Sequence, residues 1–360
     1  MNEKLTLMDS VLFFGHGKTE MRGGPTIFMS IYKQWPDREK HIIYEKSYLQ
    51  SLKKLIAFLK IKKTSTLILE NEYFTEVFLA LLLKVLNRKL NVYGPAYHLP
   101  SSPEAGKEFI NSVIHYFDYK IGLWFMAFLY SGIYTENSYM KNYIESLNRD
   151  QRIIVESPGI KKENIIPLDR VKNLKRDIDL LYLTSMTKNK GIFDFLAVVK
   201  EMQKEQNDIR IAIAGYASPE VLDYISTFAT SNNIPHIELY SNIPENEKYK
   251  LYSRSKIYVL PSIEDGIPIT FYEAWSYGVI VIGYNLETYT DIKNYFIPVE
   301  KGNAKELTDK CRNIYKNYSD NFNSLMEKAY RYSMNHSYEA GINNIIQGIL
   351  KINEMINRDR

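Results

Sequence analysis

The strands predicted along this chain are continuous apolar runs, and each is followed by a stretch with helical periodicity. The second half shows this best: the runs "IDLLYLTS", "IRIAIAG", "IELYS", "IYVLPS" and "VIVIGYN" alternate with amphipathic stretches such as "GIFDFLAVVKEMQKEQ". Unbroken apolar strands are typical of sheets that helices cover on both faces. The alternation of strands and helices predicts right-handed crossovers and a parallel sheet.

The first half has the same alternation in a weaker form. Its predicted strands are "VLFFGHG", "TLILE", "LNVYGPAYH", "GIYTEN" and "RIIVESPG". We place the join in the polar segment 158–175, which contains no clear element. The pattern predicts an α/β protein with two Rossmann-like domains, 1–165 and 166–338, whose parallel sheets face each other across a cleft. A C-terminal helix over 339–360 is expected to pack back on the N-terminal domain.

Length and composition narrow the class of protein. The chain has 360 residues, of which 45% are hydrophobic and 24% charged, as in globular proteins of two domains. A net charge of +4 is too small to indicate a nucleic-acid partner. The single cysteine, Cys311, excludes an intramolecular disulfide and a Cys-based zinc site, and it favours a cytoplasmic location.

Neither a signal peptide nor a membrane span is expected. The first residues, "MNEKLTLMDS", lack the apolar core of a signal peptide. The longest apolar run, at 121–134, is shorter than the ~20 residues of a spanning helix. It predicts a core helix that runs into a core strand.

A segment with two acidic residues, "EDGIPITFYEAWSYG" at 264–278, follows the strand "IYVLPS". Ligands of parallel sheets bind at this carboxyl edge of the strands. Gly266 allows a tight turn and Pro268 suits the first turn of a helix, whose N-terminal N–H groups form an anion site suited to phosphate. A buried carboxylate at Glu273 needs hydrogen-bond donors, which the hydroxyls of a sugar or ribose would supply.

This segment resembles the acidic motif of the retaining GT-B glycosyltransferases of family four, the glycosyl transferases group 1. The motif has two acids separated by seven residues, then a helix end and a buried strand. The blocks "IAIAGYASPE", "IELYSNIPENEKYKLYSRSKIYVLPS" and "IPVEKGNAKELTDKC" fall in the expected order within 179–339. The resemblance implies the GT-B fold and a retaining enzyme that moves a sugar from a nucleotide diphosphate sugar to a hydroxyl acceptor.

The resemblance also implies roles for the residues of the motif. Asp265 would contact the sugar hydroxyls, and Glu273 would bind the ribose of the nucleotide. The backbone amides of Gly266 and Ile267 would hold the sugar and the diphosphate, and Pro268 completes this donor-binding segment. Two alternatives stay open: Asp265 as a helix N-cap, and Glu273 as a structural carboxylate with satisfied hydrogen bonds.

The segment "TSMTKNKGIF" resembles the Gly-Arg and Lys-Gly block that binds the diphosphate in this family. Lys190 matches the lysine of the block, Ser185 replaces the arginine, and Lys188 is the substitute cation. Such a cation would stabilise the negative charge of the leaving diphosphate. Simple solvation of a loop lysine is the alternative.

Two loops of the first half are further candidates for the cleft. "VYGPAYHLPS" places His98 at a strand end, where similar family members carry a histidine beside the reacting sugar. Together with Asp265 and Lys190, His98 completes the catalytic candidates. Gly23 and Gly24 follow the first strand and would approach the donor phosphates or the acceptor; an ordinary turn is the alternative. Their candidate neighbours are His16 and Arg22.

No metal and no cofactor beyond the nucleotide sugar are expected. Asp177 and Asp179 form a D-x-D that precedes a strand, which is the wrong edge of the sheet for a ligand site. The six histidines have no metal-binding spacing. Two alternative functions stay open: an inverting GT-B transferase, and a catalytically impaired sugar-nucleotide-binding protein.

The last hypothesis concerns the acceptor, either a glycan or a lipid-linked molecule. The segment "YLQSLKKLIAFLKIKK" at 48–63 predicts a helix that packs an apolar stripe onto the first sheet. It also carries five lysines and no acid. The stripe and the lysines are Leu49, Leu52, Leu55, Ile56, Leu59, Lys53, Lys54, Lys60, Lys62 and Lys63. A basic helix suits an anionic membrane surface, so peripheral association with the inner face of a membrane is a hypothesis.

Overall fold

The structure is a computed structural model that describes residues 10–16, 24–36, 40–45, 47–59, 64–100, 109–157, 159–205 and 208–359. The chain divides into two compact units. The first comprises Met1–Pro158 and Glu339–Arg360, and the second comprises Gly159–Tyr338. In the described part of each unit, six parallel strands form one sheet with helices around it, so the predicted parallel α/β fold is confirmed.

The first unit alternates strands and helices from its start. The strands are β1 (Ser10–His16), β2 (Lys40–Glu45), β3 (Thr64–Leu69), β4 (Asn91–Pro95), β5 (Gly132–Thr135) and β6 (Ile153–Val155). The helices are α1 (Gly24–Gln34), α2 (Tyr48–Leu59), α3 (Phe74–Leu86), α4 (Phe109–Leu129), α5 (Ser138–Leu147) and, from the end of the chain, α13 (Tyr338–Arg358). The strand order is β2-β1-β3-β4-β5-β6.

This order fixes which helices share a face of the first sheet. From β2 onward the chain crosses the sheet in one direction, so right-handed crossovers place α2, α3, α4 and α5 on one face. The step from β1 to β2 runs the other way and places α1 on the opposite face. Accordingly Phe13 packs edge-on against Phe28 of α1, with ring centroids 5.6 Å apart.

Helix α13 returns the end of the chain to the first sheet. The side-chain oxygen of Asn353 accepts hydrogen bonds from the Asn91 amide at 2.7 Å and from the Tyr93 hydroxyl at 2.8 Å. Gly348 lies against Ile154, where an added Cβ would come within 2.7 Å of that side chain. The helix therefore belongs to the first unit although it follows the second in sequence.

The apolar run at 121–134 forms the end of α4 and the strand β5, so the predicted helix and strand are confirmed. The helix is not buried on all sides. Leu123 and Met126 lie in the core, whereas Ile121, Trp124 and Phe128 are exposed. Within the described ranges, every helix is too short or too polar to traverse a bilayer.

The second unit repeats the alternation. Its strands are β7 (Ile178–Leu183), β8 (Ile211–Gly215), β9 (Ile237–Ser241), β10 (Ser255–Leu260), β11 (Ile280–Tyr284) and β12 (Ile297–Val299). Its helices are α6 (Leu168–Lys172), α7 (Ile192–Gln203), α8 (Pro219–Ser231), α9 (Glu245–Arg254), α10 (Ile269–Ser276), α11 (Ala304–Lys316) and α12 (Tyr318–Met334). The strand order is β12-β11-β10-β7-β8-β9.

The central strands β7 and β10 position the loops of interest. They pair in parallel, with Leu180 opposite Ile257 and Leu181 opposite Tyr258. Every residue of β7 is buried, as the unbroken apolar pattern predicted. Because adjacent parallel strands end at the same edge, the loop after β7 and the loop after β10 meet there.

Candidate active site

An ion pair joins the loops that follow β7 and β10. Lys190 ends a short 3₁₀ turn, Lys188–Lys190, and its ammonium nitrogen lies 2.6 Å from Oδ2 of Asp265. The two side chains keep 27% and 18% of their surface exposed, so the pair is shielded but reachable. The structure thus brings together the two catalytic candidates of this unit.

The backbone around the pair is tied down by hydrogen bonds. The carbonyl oxygen of Asn189 accepts from the Ser262 hydroxyl at 3.1 Å and from the Ile263 amide at 2.9 Å. The Asp265 carbonyl accepts from the Thr288 hydroxyl at 2.8 Å. The two bonds to Asn189 join the loop after β7 to the loop after β10, and the Thr288 bond ties the second loop to the segment after β11.

Gly191 allows the loops to approach this closely. Its φ of +75° lies in the left-handed region, and a Cβ there would lie 2.0 Å from the carbonyl oxygen of Pro261. Only glycine therefore satisfies both the backbone conformation and the contact. The Lys190-Gly191 pair was predicted from resemblance alone, and the structure shows why its second residue is glycine.

A buried tyrosine supports the Lys190 turn from below. The hydroxyl of Tyr182, at the end of β7, lies 2.9 Å from the Ser185 carbonyl oxygen and 3.2 Å from that of Lys190. Burial raises the pKa of Tyr182 well above its ordinary value, so the phenol remains a donor. Ser185 contributes its backbone to this arrangement, and Lys188 is exposed to solvent.

The segment between Asp265 and α10 is buried. Gly266, Ile267 and Pro268 have little exposed surface, and α10 begins at Ile269 with Pro268 as its N-cap residue. The helix start therefore lies one residue later than the sequence indicated. Asp265 is not the N-cap, which removes that alternative for its side chain.

Glu273 lies one turn inside α10 and is bound by three side chains of α9. Its Oε1 lies 2.5 Å from the ammonium of Lys248 and accepts from the Tyr249 hydroxyl at 3.3 Å. Its Oε2 accepts from the Tyr252 hydroxyl at 3.1 Å. Only 5% of the carboxylate side chain is exposed. The contacts match the structural carboxylate that the sequence left open, and the ribose-binding role stays a prediction.

Burial and the charge of Glu273 affect both tyrosines. Burial, and then the neighbouring carboxylate, raise the pKa of Tyr249 and of Tyr252 well above the ordinary value. Both phenols therefore stay protonated and donate to Glu273. Nothing in the spacing of the sequence pointed to Lys248, because α9 precedes the acidic motif by a whole strand.

In the first unit, His98 follows β4 beside a buried acid that the sequence did not indicate. The ring of His98 lies 5.4 Å from that of Tyr119, centroid to centroid, and the Tyr119 hydroxyl donates to Glu72. Glu72 also accepts from the Tyr97 amide at 3.3 Å. The signal for Glu72 was present in "TLILENE", where two acids directly follow a buried strand.

Burial dominates the chemistry of Glu72. It raises the pKa of this carboxyl to about 7, while the charge of His98 and the Tyr97 amide partly oppose the shift. A group that titrates near neutral pH beside a histidine can exchange protons under ordinary conditions.

The candidates of the glycine loop in the first unit lie only partly within the described residues. His16 is the last residue of β1 and Gly24 is the first of α1. Gly23 and Arg22 lie outside the described residues, so their predicted roles stay predictions.

Asp177 and Asp179, at the amino edge of the second sheet, form ion pairs with Arg254 and Lys256.

Comparison with protein families identifies the second unit. Residues 166–333 match the family described as glycosyl transferases group 1. A search of curated proteins found no significant match.

Solved structures resemble the chain as a whole at low identity. Sucrose-phosphate synthase of Thermosynechococcus elongatus has a TM-score of 0.75 and 11% identity, covering 96% of this chain and 99% of its own. HepE of Anabaena, in complex with UDP-glucose, has a TM-score of 0.72 and 9% identity, covering 95% and 99%.

A mutant of TarM from S. aureus, in complex with fondaparinux, alpha-GlcNAc-glycerol and UDP, has a TM-score of 0.64 and 17% identity, covering 86% of this chain. This chain spans 59% of the length of that protein. These likenesses establish the fold, which is GT-B.

Proposed function

The chain carries a domain of the glycosyl transferases group 1 family within a GT-B fold, and from this we propose that the protein is a retaining glycosyltransferase. It would transfer a sugar from a nucleotide diphosphate sugar to a hydroxyl group. The first unit would bind the acceptor, and the second would bind the donor.

The Lys190–Asp265 ion pair is the observation that carries the proposal. A nucleotide diphosphate sugar presents a dianionic diphosphate next to a ring of hydroxyls. A cation and a carboxylate held side by side match these two parts. The pair lies at the carboxyl edge of a parallel sheet, near the start of α10, where anionic ligands are favoured.

Donor binding would exchange the partners of this pair. The diphosphate takes the place of Asp265 beside the Lys190 ammonium, and the freed carboxylate accepts hydrogen bonds from the sugar. The bond between C1 and the phosphate oxygen then breaks, and the acceptor oxygen forms a bond to C1 on the same face. The acceptor proton goes to the leaving diphosphate, whose growing charge Lys190 stabilises.

The remaining site candidates have supporting roles in this proposal. The backbone from Gly266 to Pro268 lines the donor beside Asp265, and Glu273 would meet the ribose by sharing its carboxylate with the α9 side chains. Lys188 would supply a second cation where the family has arginine. His98 and Gly24, in the first unit, are proposed to contact the reacting sugar and the donor phosphates or the acceptor, respectively.

UDP-sugars are the first donors to test. The structures of HepE and TarM contain UDP-glucose and UDP, respectively. The acceptor would be a glycan or a lipid-linked molecule, and membrane association would favour the second. An inverting transferase and an inactive binding protein are the alternatives, the latter because Ser185 and Asp265 depart from the family pattern.

The test is a thermal-shift screen with UDP-, GDP- and ADP-sugars, followed by release of the nucleoside diphosphate. A donor at one hundred times its dissociation constant should stabilise the protein by about 2.7 kcal/mol. Stabilisation without any turnover would favour the binding protein. The anomeric configuration of the product, read by NMR, separates retention from inversion.

A further inference from the structure

The outer face of α3 and α4 in the first unit is an apolar surface. We call it the α3–α4 surface, and its side chains are between 41% and 83% exposed. Its members are Phe78, Leu82, Val85 and Leu86 on α3, and Ile110, Ile114, Phe117, Ile121, Trp124 and Phe128 on α4.

The residues on α4 form a single stripe. They follow one another at alternating intervals of four and three, which places them on one side of the helix. The opposite side, with Leu123, Met126 and Ala127, is buried in the first unit. The helix is therefore apolar on two sides, and its own sheet covers one of them.

Ring contacts make the surface continuous between the two helices. Phe74 lies 5.8 Å from Phe78 on its own helix and 5.7 Å from Phe125 on α4, centroid to centroid. Phe125 in turn contacts Trp124, whose ring lies 5.2 Å from that of Phe128.

Charge is scarce on this surface, where Lys84, Asp118 and Lys120 keep only part of their area exposed. Among the described side chains of α3 and α4, the exposed ones outside the apolar set are Thr75 and His115. A solvated helix face normally carries charged residues of both signs. Ten side chains of this size expose on the order of 1,000 Å², more than the largest apolar patch of a typical monomer.

The exposed charges around the surface are mainly basic. On the α5 side, Asn148 and Gln151 bind carbonyl oxygens at the end of α4, and the turn between them adds the exposed residues Arg149 and Asp150. The exposed charged residues from α2 through the turn after α3, within the described ranges, are Lys53, Lys54, Arg88 and Lys89. The acids nearby are withdrawn: Glu72 and Glu76 are buried, and Asp118 on α4 is half-buried. Lys54 pairs with Glu45. An apolar centre with a basic border complements a partner that is apolar inside and anionic at its surface.

We propose that the α3–α4 surface docks this protein on an anionic lipid bilayer. The aliphatic and aromatic side chains enter the boundary between headgroups and acyl chains, and the basic residues contact the headgroups. A second copy of the chain would also cover the apolar residues. It would bring the same mainly basic border and little negative charge, so an anionic lipid surface complements the border better.

This inference stands apart from the proposed enzymatic activity, and it moves the main apolar contact away from the lysine-rich helix α2. It assigns the apolar contact to α3 and α4, and α2 supplies basic residues at the border. Apolar residues of α2 add to it: Leu49 and Ile56 are exposed, while Leu55 packs into the core as the sequence predicted. Lys60, Lys62 and Lys63 lie outside the described residues.

The chain contains its own probe for this docking. Of its three tryptophans, Trp35 and Trp275 are buried and Trp124 is exposed on the surface. We expect Trp124 emission to shift to the blue when vesicles with phosphatidylglycerol are added to the full chain. Brominated lipids should quench it. Vesicles of phosphatidylcholine alone should bind more weakly.

Two sets of variants test the surface. Ile114→Gln with Ile121→Gln should reduce sedimentation with the anionic vesicles by about tenfold or more and leave Trp124 as the probe. Arg88→Gln with Lys89→Gln should reduce it by about fivefold per residue, an effect that high salt mimics. Phe193→Gln with Tyr224→Gln, which changes two exposed rings of the second unit, is the matched control and should bind as wild type does.

Three results would overturn the proposal. One is that wild-type protein binds neither kind of vesicle. Another is that the control pair weakens binding as much as the surface pair does. The third is a lipid-free dimer in light scattering that Ile114→Gln with Ile121→Gln converts to monomer, which would assign the surface to a second copy.

Discussion

The ammonium nitrogen of Lys190 lies 2.6 Å from Oδ2 of Asp265, across two loops that are 75 residues apart in sequence. A second pair, Lys256 with Asp179, joins the same two strands at 2.7 Å. The first pair is at the carboxyl edge of the sheet and the second at the amino edge. The two ion pairs have similar N–O distances and are both largely buried, so variants of the second pair serve as controls for variants of the first.

Lys190→Ala should lower turnover by about a hundredfold, because the lysine acts on charge that develops in the transition state. Lys256→Ala removes an equivalent ion pair far from the ligand edge, so turnover should stay at the wild-type level. Steady-state kinetics and melting curves of both variants check this. Equal losses of activity in the two variants, in step with melting temperature, would make Lys190 a structural residue.

Gly191→Ala should destabilise the protein more than Gly302→Ala does. Both glycines have positive φ, +75° and +80°, so both variants strain the backbone by about 1–2 kcal/mol. At Gly302 an added Cβ meets nothing within 4 Å, whereas at Gly191 it meets the Pro261 carbonyl oxygen at 2.0 Å. The clash should add about 1–3 kcal/mol and move Lys190 away from Asp265.

Urea denaturation measures how much each variant lowers the free energy of unfolding, and donor turnover reports the displacement of Lys190 from Asp265. We expect Gly302→Ala to keep its turnover and Gly191→Ala to lose most of it. Equal stabilities for the two variants would mean that the loops can separate without cost.

Glu273→Gln should weaken donor binding by about tenfold or more, because a neutral amide is a poorer acceptor for the ribose hydroxyls. Removing the charge also weakens the pair with Lys248, which keeps only the longer contact of 3.8 Å with Glu245, and this lowers stability. Lys248→Met separates the two effects, since it retains the carboxylate. Calorimetric titration with the donor should show a smaller loss for Lys248→Met than for Glu273→Gln. Wild-type donor affinity in a folded Glu273→Gln protein would leave Glu273 with its structural role alone.

Glu72 should make the stability of the protein pH-dependent. Its carboxyl has a pKa of about 7 in the folded chain against an ordinary value of 4.5, so the folded state holds the proton more tightly. Stability from this group is therefore complete below pH 4.5 and is lost as the pH rises to about 7. The loss amounts to about 3 kcal/mol.

Glu72→Gln keeps the shape and removes the titration. The variant should gain stability relative to wild type between about pH 5 and about pH 8, measured by urea denaturation. If the free energies of unfolding of the variant and of wild type differed by the same amount at about pH 5 and at about pH 8, Glu72 would ionise in the folded chain as readily as in the unfolded chain.

Chelation by EDTA should leave turnover intact. The described residues contain no group of three or more His, Cys, Asp or Glu side chains placed to hold a metal ion. The two acids of the D-x-D motif, Asp177 and Asp179, form ion pairs with Arg254 and Lys256. Loss of activity on chelation, with recovery in manganese or magnesium, would contradict the prediction.

Much of the architecture could be predicted because strands that helices cover on both faces appear in the sequence as apolar runs. Strands β7, β10 and β11 are largely apolar runs, with Asp179 near the start of β7 and Lys256 near the start of β10, and all three lie where the sequence predicted them. The loop after β10 could be singled out for the same reason, since chemistry-bearing residues follow a strand end. Gly191 and Lys190 were found by resemblance, and the structure adds the contact with Pro261 that requires the glycine.

The partners of the charged residues could not be predicted. Glu273 is bound by Lys248, Tyr249 and Tyr252, which lie 21 to 25 residues earlier in the chain on a different helix. Which two helices touch depends on crossover direction and packing, which no local spacing encodes. Glu72 was missed although it follows the strand β3, because its burial beside His98 depends on tertiary packing and leaves no periodic signal.

The sequence by itself determined the parallel α/β class of both units. The edge of the second sheet at which a ligand would bind stays a prediction, as does a join near residue 165, and the structure divides the units between Pro158 and Gly159. Only the tertiary structure decided that Lys190 pairs with Asp265 and that one apolar side of α4 has no covering element among the described residues. The physical reason is the range of the interactions. Backbone hydrogen bonding and hydrophobic periodicity are local, whereas ion pairing and the covering of a helix face depend on segments that folding brings together from distant parts of the chain.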